Sequence, residues 1–410
     1  MTLGIDKLLT IDRIFIFLLV SEPVSFFWDR RISSIIALLL VITWLLKRDF
    51  VGLKGIFKNF PFIIFCLLFF IQVIGIFYSE NKDFSLLERR LPLVLFPIIF
   101  YSARIPSKSI DLILYGFVLS CFTASAYVLI HTFLTNGTYD TEMTIRALNV
   151  SHVYFGFFSS FAIAILVNLL LTKIKRRILM IAVALLIALL LLFMFYVGGK
   201  MSIISLIVLI LALGFSFSLR SGQRIKGVFL IALFLLISFF TLKSIENVRS
   251  RFSYLFNKEH YFIGNNAWSS IGVRLTIFTC ARDVFKENVL IGTGLGDVQP
   301  DLNVCFNTKG FHTVVDMNAH NQYVQLLLGS GILGFGIFFL TLIVTIRRAI
   351  EMKDYLLLSF VFLFFMCCLT ESLLERQQGV MFYAFFNSLL FFRTSDWAVF
   401  DSNQNNNDGT

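Results

Sequence analysis

The sequence contains few charged residues, and this scarcity excludes a chain that folds in water. Charged residues occupy 15% of its 410 positions, whereas apolar residues occupy 58%. A soluble globular domain carries about 25% charged residues. Uninterrupted apolar runs of roughly 20 residues, long enough to cross a bilayer, recur along the chain. The composition therefore predicts an all-α, polytopic membrane protein whose first partner is the lipid bilayer.

Motifs for nucleotide or metal chemistry are also missing. The chain has no Walker Lys-Ser/Thr pattern, no Asp-x-Asp motif and no His/Cys cluster spaced like a zinc site. Its run Gly292-x-Gly294-x-Gly296 lacks the strand–turn–helix context that a nucleotide-binding loop requires. We therefore expect neither a metal nor another cofactor.

A surface for nucleic acid is missing as well, although the formal net charge is +10. Lys and Arg cluster in short connections between apolar runs, as the orientation of a membrane protein requires. No basic face with interleaved aromatic residues stands clear of these runs. We expect no nucleic-acid partner.

The apolar runs predict about twelve transmembrane helices. They lie at about 11–27, 33–47, 60–79, 88–103, 109–134, 152–172, 178–197, 201–219, 226–243, 322–346, 355–370 and 378–394. A cytoplasmic N-terminus places most basic residues of the short connections inside, and an even number of spans then keeps the C-terminus inside too. Nine spans fall in residues 1–242 and three in 320–394, and residues 395–410 form a disordered cytoplasmic tail. No cleavable signal peptide is expected.

One long connection, residues 243–319, faces the outside of the cell or the periplasm in this orientation. Connections of this length are usually functional. Within it, residues 269–287 place Ile271, Leu275 and Phe278 at helical spacing, which predicts an amphipathic helix lying on the membrane. Cys280 and Cys305 also fall in this connection and can form a disulfide in an oxidising compartment, although the sequence does not give the distance between them.

The stretch 316–336 passes from polar to apolar within a few residues, as a loop does where it enters a membrane helix. His320, Asn321 and Gln322 stand at this entry, where a lipid-borne substrate and water both have access. An imidazole takes up and releases protons near neutral pH, so His320 is a candidate general base. A satisfied structural histidine is the alternative interpretation. Gly331 and Gly334 allow another helix to approach closely.

The spacing His320-Asn321, nine residues, Gly331-Ile-Leu-Gly334 resembles the signature of the bacterial O-antigen ligase and O-antigen polymerase superfamily. The resemblance is specific there and covers mainly residues 270–380. It implies a GT-C-like membrane glycosyltransferase of the bacterial inner membrane with a periplasmic active site. It also implies a glycan donor linked to undecaprenyl pyrophosphate. The acceptor would be the lipid A–core in a ligase, or another lipid-linked glycan in a polymerase.

The same resemblance implies sites for the donor's pyrophosphate. Superfamily members commonly show an Arg, an aromatic residue and a Gly-x-Gly turn in this order, and Arg274, Phe278 and Gly292-Thr-Gly294 match that order. Phe278 stands where Trp is frequent. Lys200 stands where many members carry an Arg, which keeps the charge but loses the bidentate geometry. A head-group contact for Arg274 and an interfacial position for Lys200 are the alternative interpretations.

Further polar residues lie at the same predicted outer edge of the membrane. Arg146 and His152 flank the start of the sixth span, and Glu371, Glu375 and Arg376 occupy the last outer connection. Ionisable residues at such positions are candidates for substrate binding. One of the carboxylates can orient His320 or an acceptor hydroxyl, whereas Glu375 and Arg376 can equally form a structural charge pair.

Together with these residues, the resemblance implies a metal-independent glycosyltransferase, with the ligase slightly ahead of the polymerase. A polysaccharide transporter or flippase is the alternative from another class, since about twelve spans with both termini inside fit one. The sequence shows no repeated halves of the kind found in many transporters, and its charge gathers at the outer edge rather than at mid-membrane.

Overall fold

The computed structural model describes residues 2–47, 53, 55–103, 105–134, 148, 150–197, 199–218, 225, 227–228, 231–232, 234, 236, 262–265 and 269–393. These residues form α-helices, three short 3₁₀ helices and turns, and no strand occurs among them. The α-helices in these ranges are α1 (Thr2–Ser25), α2 (Arg30–Lys47), α3 (Phe60–Tyr78), α4 (Ser85–Glu88), α5 (Pro92–Ser102), α6 (Ser107–Leu134), α7 (His152–Thr172), α8 (Arg177–Val197), α9 (Lys200–Ser218), α10 (Ser270–Glu287), α11 (Val298–Thr308), α12 (Gln322–Glu351), α13 (Tyr355–Cys368) and α14 (Gln377–Phe392).

Six of these helices are long and apolar enough to cross a membrane, namely α3, α6, α7, α8, α9 and α12. The prediction of an all-helical membrane protein is therefore confirmed. Five other predicted spans coincide with helices, α1, α2, α5, α13 and α14, that are shorter or less apolar. The predicted span 226–243 lies largely outside the described residues, as do Arg146 and the tail 395–410. The count of twelve spans remains a prediction.

The helices pack around α14, which is buried along most of its length. Its Phe382 ring lies 4.4 Å from Phe158 and 4.9 Å from Phe157, measured between ring centroids. Phe386 lies 4.9 Å from both Phe117 and Phe161. Edge-to-face and stacked aromatic pairs at these distances are favourable beyond the area that they bury. An aromatic core therefore holds α1, α6, α7, α13 and α14 together.

Helices α10 and α11 form a small unit with an apolar core of its own. Ile277, Val284, Leu302 and Phe306 are buried in it. The predicted helix at 269–287 is present as α10, and a disulfide joins its Cys280 to Cys305 of α11. The disulfide that the sequence allowed is therefore formed. The placement of α10 on a membrane surface remains a prediction.

A break in α12 attaches this unit to the bundle. At Gly331 the backbone leaves helical geometry, with φ 59° and ψ −161°. The loop after α10 enters the break, where the Leu290 carbonyl accepts from Leu333 N–H at 3.2 Å and Thr293 N–H donates to the Leu328 carbonyl at 2.8 Å. A Cβ on Gly331 would lie 2.3 Å from the Leu290 backbone. Glycine is required here both by the positive φ and by the close approach of the loop.

Candidate active site

His320 lies immediately before α12 in a left-handed backbone conformation, with φ 46°. This conformation is uncommon for a residue other than glycine and, when it occurs, is often found at functional sites. The backbone N–H of His320 donates to Asn318 Oδ1 at 2.9 Å, which closes a tight turn in front of the helix. The imidazole is 31% exposed. The turn thus presents a partly accessible ring at the mouth of α12.

Glu371 faces this imidazole. Its Oε2 lies 3.4 Å from His320 Nδ1, and its side chain is 9% exposed. A carboxylate beside one ring nitrogen holds the other nitrogen available for a substrate and stabilises the protonated ring. Of the two carboxylates that the sequence offers as a partner for His320, Glu371 is therefore the one that lies beside it.

Asn321 and Gln322, which the sequence suggested as substrate ligands, bond to neighbouring protein groups. The Asn321 carboxamide oxygen accepts from the N–H groups of Tyr323 and Val324 and so caps α12. Its amide nitrogen donates to the Leu369 carbonyl at 2.9 Å. Gln322 is buried, and its Oε1 accepts from Leu374 N–H at 2.6 Å. Both side chains thus fix the segment 369–376, which we call the rim segment.

Arg274 reaches the same rim segment from α10. Its Nη2 donates to the Thr370 carbonyl at 2.8 Å, and its Nη1 donates to the Ser270 carbonyl at 2.8 Å. Burial lowers the pKa of the guanidinium, and the charge of Glu371 opposes this shift. Arg274 and His320 therefore contact successive residues, Thr370 and Glu371. The guanidinium retains further N–H groups for an anion, since it carries five donors in all.

Phe278, matched above to the aromatic position of the family pattern, packs against the apolar core of α10 and α11. The Gly-x-Gly turn also has a packing role. A Cβ on Gly292 would lie 2.4 Å from the Leu328 carbonyl, and one on Gly294 would lie 2.4 Å from Ser79 Oγ. Gly334, in turn, leaves room for Ser330 where α12 bends. Gly292 and Gly294 thus allow the loop to lie close against α12 and α3.

Glu375 and Arg376 do not form the pair that the sequence allowed. Glu375 Oε1 instead accepts from Nη2 of Arg90 at 2.6 Å, and the Arg90 side chain is 1% exposed. Arg376 is exposed at the start of α14. Sequence reasoning missed Arg90, although a charged residue next to the apolar run of α5 is the kind of signal that marks such a site.

Lys200 and His152 lie at neighbouring helix starts, on α9 and α7. A Cβ on Gly199 would lie 3.5 Å from Val153 Cα, so the two starts are in contact. Two residues into α9, Ser202 Oγ lies 3.9 Å from the Sγ of Cys367, which comes just before the rim segment. The structure therefore places Lys200 and His152 on the side of the bundle that carries the rim segment.

Tyr154, another residue that the sequence did not single out, also fixes the rim segment. Its hydroxyl donates to the Leu373 carbonyl at 3.2 Å, and the side chain is fully buried. A buried tyrosine hydroxyl usually finds such a partner. Nothing in the sequence distinguishes this tyrosine from the aromatic residues around it. Within the described ranges, no group of three or more His, Cys, Asp or Glu residues is arranged to hold a metal ion.

Residues 198–339 match the family model described as O-antigen ligase. The matched region contains His320, Arg274 and Lys200, together with the glycines of the loop and of the α12 break. It ends before the rim segment. No curated protein matches the chain. The family match confirms the resemblance found in the sequence over residues 198–339 of the 410. Together with the apolar helices, it indicates a multi-pass bacterial membrane protein with a function of the O-antigen ligase or polymerase type.

Proposed function

We propose that the protein is a membrane glycosyltransferase that moves a glycan from undecaprenyl pyrophosphate to the lipid A–core, as an O-antigen ligase does. One observation carries the proposal. His320, Glu371 and Arg274 come from three distant parts of the sequence, and all three meet at the rim segment. A base, its orienting carboxylate and a cation for a phosphate are the groups that such a transfer needs.

The reaction forms one bond and breaks one bond at the anomeric carbon. The acceptor hydroxyl attacks this carbon while the bond to the pyrophosphate oxygen breaks, and attack from the opposite face inverts the configuration. The energy comes from the glycosyl–phosphate bond of the donor, so the reaction consumes no ATP. Undecaprenyl pyrophosphate leaves with the bonding electron pair.

His320 takes the proton from the attacking hydroxyl. Since Nδ1 faces Glu371, Nε2 is the nitrogen that accepts this proton. Glu371 then stabilises the imidazolium that forms, because an opposite charge nearby favours the protonated ring. A positioned general base contributes roughly 10²–10⁴-fold to a rate.

Arg274 stabilises the negative charge that develops on the departing pyrophosphate. Its carbonyl contacts fix two N–H groups and leave others for phosphate oxygens. Lys200, at the start of α9, supplies a second positive charge, and the exposed Arg376 and the half-buried His152 line the approach. We assign Asn321, Gln322 and Glu375 to holding the rim segment, because each of them already bonds to it or within it.

This chemistry requires the site to face the periplasm of a bacterial inner membrane, with both chain termini in the cytoplasm. The distribution of basic residues supports this orientation. A polymerase differs only in its acceptor, which is a second lipid-linked glycan. The same residues serve both reactions, and the glycan products distinguish them.

The lipopolysaccharide profile of a deletion strain tests the proposal. We expect the strain to lose the whole O-antigen ladder and to retain bare core. The wild-type gene restores the ladder, His320→Ala does not, and His312→Ala does. His312 is the matched control because it is an exposed histidine of the same connection. Core carrying a single repeat unit would identify a polymerase, and an unchanged profile in the deletion strain would refute both assignments.

A further inference from the structure

Arg90 is an arginine almost wholly withdrawn from solvent. Its side chain is 1% exposed, and it lies between the short helix α4 and the start of α5. Nη1 donates to the Leu86 carbonyl at 2.9 Å, and Nη2 donates to Glu375 at 2.6 Å. A buried guanidinium is tolerated only when it is paired and hydrogen-bonded. The ion pair between Arg90 and Glu375 is therefore buried on the arginine side and has one defined geometry, unlike an exposed ion pair.

Glu375 connects Arg90 to the candidate active site. It ends the one-turn helix Leu373–Glu375 inside the rim segment, where its N–H donates to the Ser372 carbonyl at 3.1 Å. The Ser372 hydroxyl accepts from the Asn321 N–H, next to His320. Glu371 precedes Ser372 and faces the imidazole. The path from Arg90 to Glu371 thus runs through a short stretch of hydrogen-bonded backbone.

Arg90 is in turn fixed by the bundle. Helix α5, which follows it, packs along α14 and α3. The bonds from Asn321, Gln322 and Arg274 reach the rim segment from α12 and α10, and the bond from Tyr154 ends on the backbone of Leu373. From the α4–α5 side, Arg90 forms an ion pair with the rim segment. Its partner there is a side chain, Glu375, and not a backbone group.

We propose that Arg90 and Glu375 form a positioning pair that sets the rim segment, and through it the Glu371 carboxylate, relative to His320. Arg90 does not touch substrate, because it is buried. This inference rests on the proposed function, since it concerns the geometry of the same transfer site. Arg90 lies outside residues 198–339, which match the family model, and the inference gives it a role in setting the rate of transfer.

The test compares Arg90→Gln, Glu375→Gln and the double variant, each purified and assayed for glycan transfer per mole of folded protein. Arg89→Gln is the matched control, because Arg89 precedes Arg90 in the chain but is exposed. We expect each single variant to lower kcat about tenfold or more and to change KM for the donor less than twofold. We expect the double variant to be no slower than the slower single variant, since both changes break one link. Arg90→Lys, which keeps a charge for Glu375, should recover part of kcat.

Three results would overturn the inference. One is a kcat of Arg90→Gln within twofold of wild type. Another is a double variant whose loss equals the product of the two single losses, because Arg90 would then act independently of Glu375. The third is a rise in donor KM with kcat unchanged. If Arg90→Gln does not fold, Glu375→Gln and the double variant decide the question. Failure of the proposed function is distinguishable, because wild type and Arg89→Gln would then also lack transfer.

Discussion

The aromatic core around α14 and the rim segment between α13 and α14 are stabilised by different kinds of contact. Around α14, each phenylalanine ring contacts several others, and Phe382 alone packs against Phe26, Phe117, Phe157, Phe158, Phe161, Phe360 and Phe386. In the rim segment, three carbonyl groups and one N–H group each meet a single side chain from another part of the chain.

This difference predicts different consequences of substitution. Apolar contacts are numerous and interchangeable, so a core of the right volume tolerates changes at a moderate cost in stability. Loss of a hydrogen bond from one side chain to one buried backbone group leaves that group without a partner. We expect the backbone there to shift as a result. Core variants should therefore change the stability of the protein, whereas rim variants should change the rate of transfer.

Arg274→Ala should give the largest effect and is the strongest test of this distinction. We expect the rate of transfer to fall by about 10²–10³-fold, as when one donor to a developing anion is removed. The folded protein should persist, because the other bonds to the rim segment remain. The assay is turnover of purified protein, with Arg282→Ala, an exposed arginine of the same helix, as the control. A loss confined to thermal stability would contradict the distinction.

Gly331→Ala tests whether a change at the break in α12 lowers the stability of the protein, as a change in the core should, or the rate of transfer, as a change in the rim segment should. The new Cβ would meet the Leu290 backbone at 2.3 Å in a backbone conformation that L residues rarely adopt. We expect a loss of about 2–3 kcal/mol in the free energy of unfolding. Proteolysis should then cut within 288–297 before it cuts the bundle.

Gly336→Ala is the control for that experiment, because nothing lies within 4 Å of a Cβ there. Alanine in a helix interior should stabilise the protein by about 0.5–1 kcal/mol. Equal thermal stabilities of the two variants would show that the loop does not occupy the break.

Phe382→Leu sharpens the comparison from the core side. The smaller side chain removes contacts with the surrounding rings, and we expect a loss of about 1–2 kcal/mol in stability. Transfer per mole of folded protein should stay within twofold of wild type. Thermal unfolding in detergent, beside the same change at the exposed Phe339, measures the first quantity. A tenfold loss of specific activity would mean that core packing sets the site directly.

Asn321→Ala should give the smallest loss of stability among the destabilising variants. Loss of the cap on α12 costs about 1 kcal/mol. Asn321→Asp keeps the capping oxygen but loses the donor to Leu369. It should therefore recover stability, while its transfer rate stays as low as that of Asn321→Ala. Recovery of both quantities would show that the contact with Leu369 is dispensable.

The sequence allowed the core to be predicted more fully than the rim. Apolar runs locate the membrane helices, because burial in lipid depends on local composition. The helical spacing of apolar residues locates α10. The family spacing singled out His320 and Arg274 as candidates, and the position of Glu371 near a predicted membrane edge marked it as a third. These inferences need only nearby residues.

The contacts of the rim could not be predicted in the same way. Arg90 and Glu375 are 285 positions apart, and no local pattern pairs one particular arginine with one particular carboxylate. The insertion of the 289–293 loop into α12 depends on the docking of α10 and α11, which local spacing does not define. The capping role of Asn321 was accessible, since Asn before an apolar helix is a typical cap.

Turnover of a defined donor by the purified protein tests the central claim most directly. The assay supplies an undecaprenyl-pyrophosphate-linked glycan and lipid A–core in vesicles, and it follows release of undecaprenyl pyrophosphate together with binding of the donor. The account predicts that wild type transfers the glycan, and that His320→Ala binds the donor normally but transfers it at least about 100-fold more slowly. Equal turnover by wild type and His320→Ala would contradict the account.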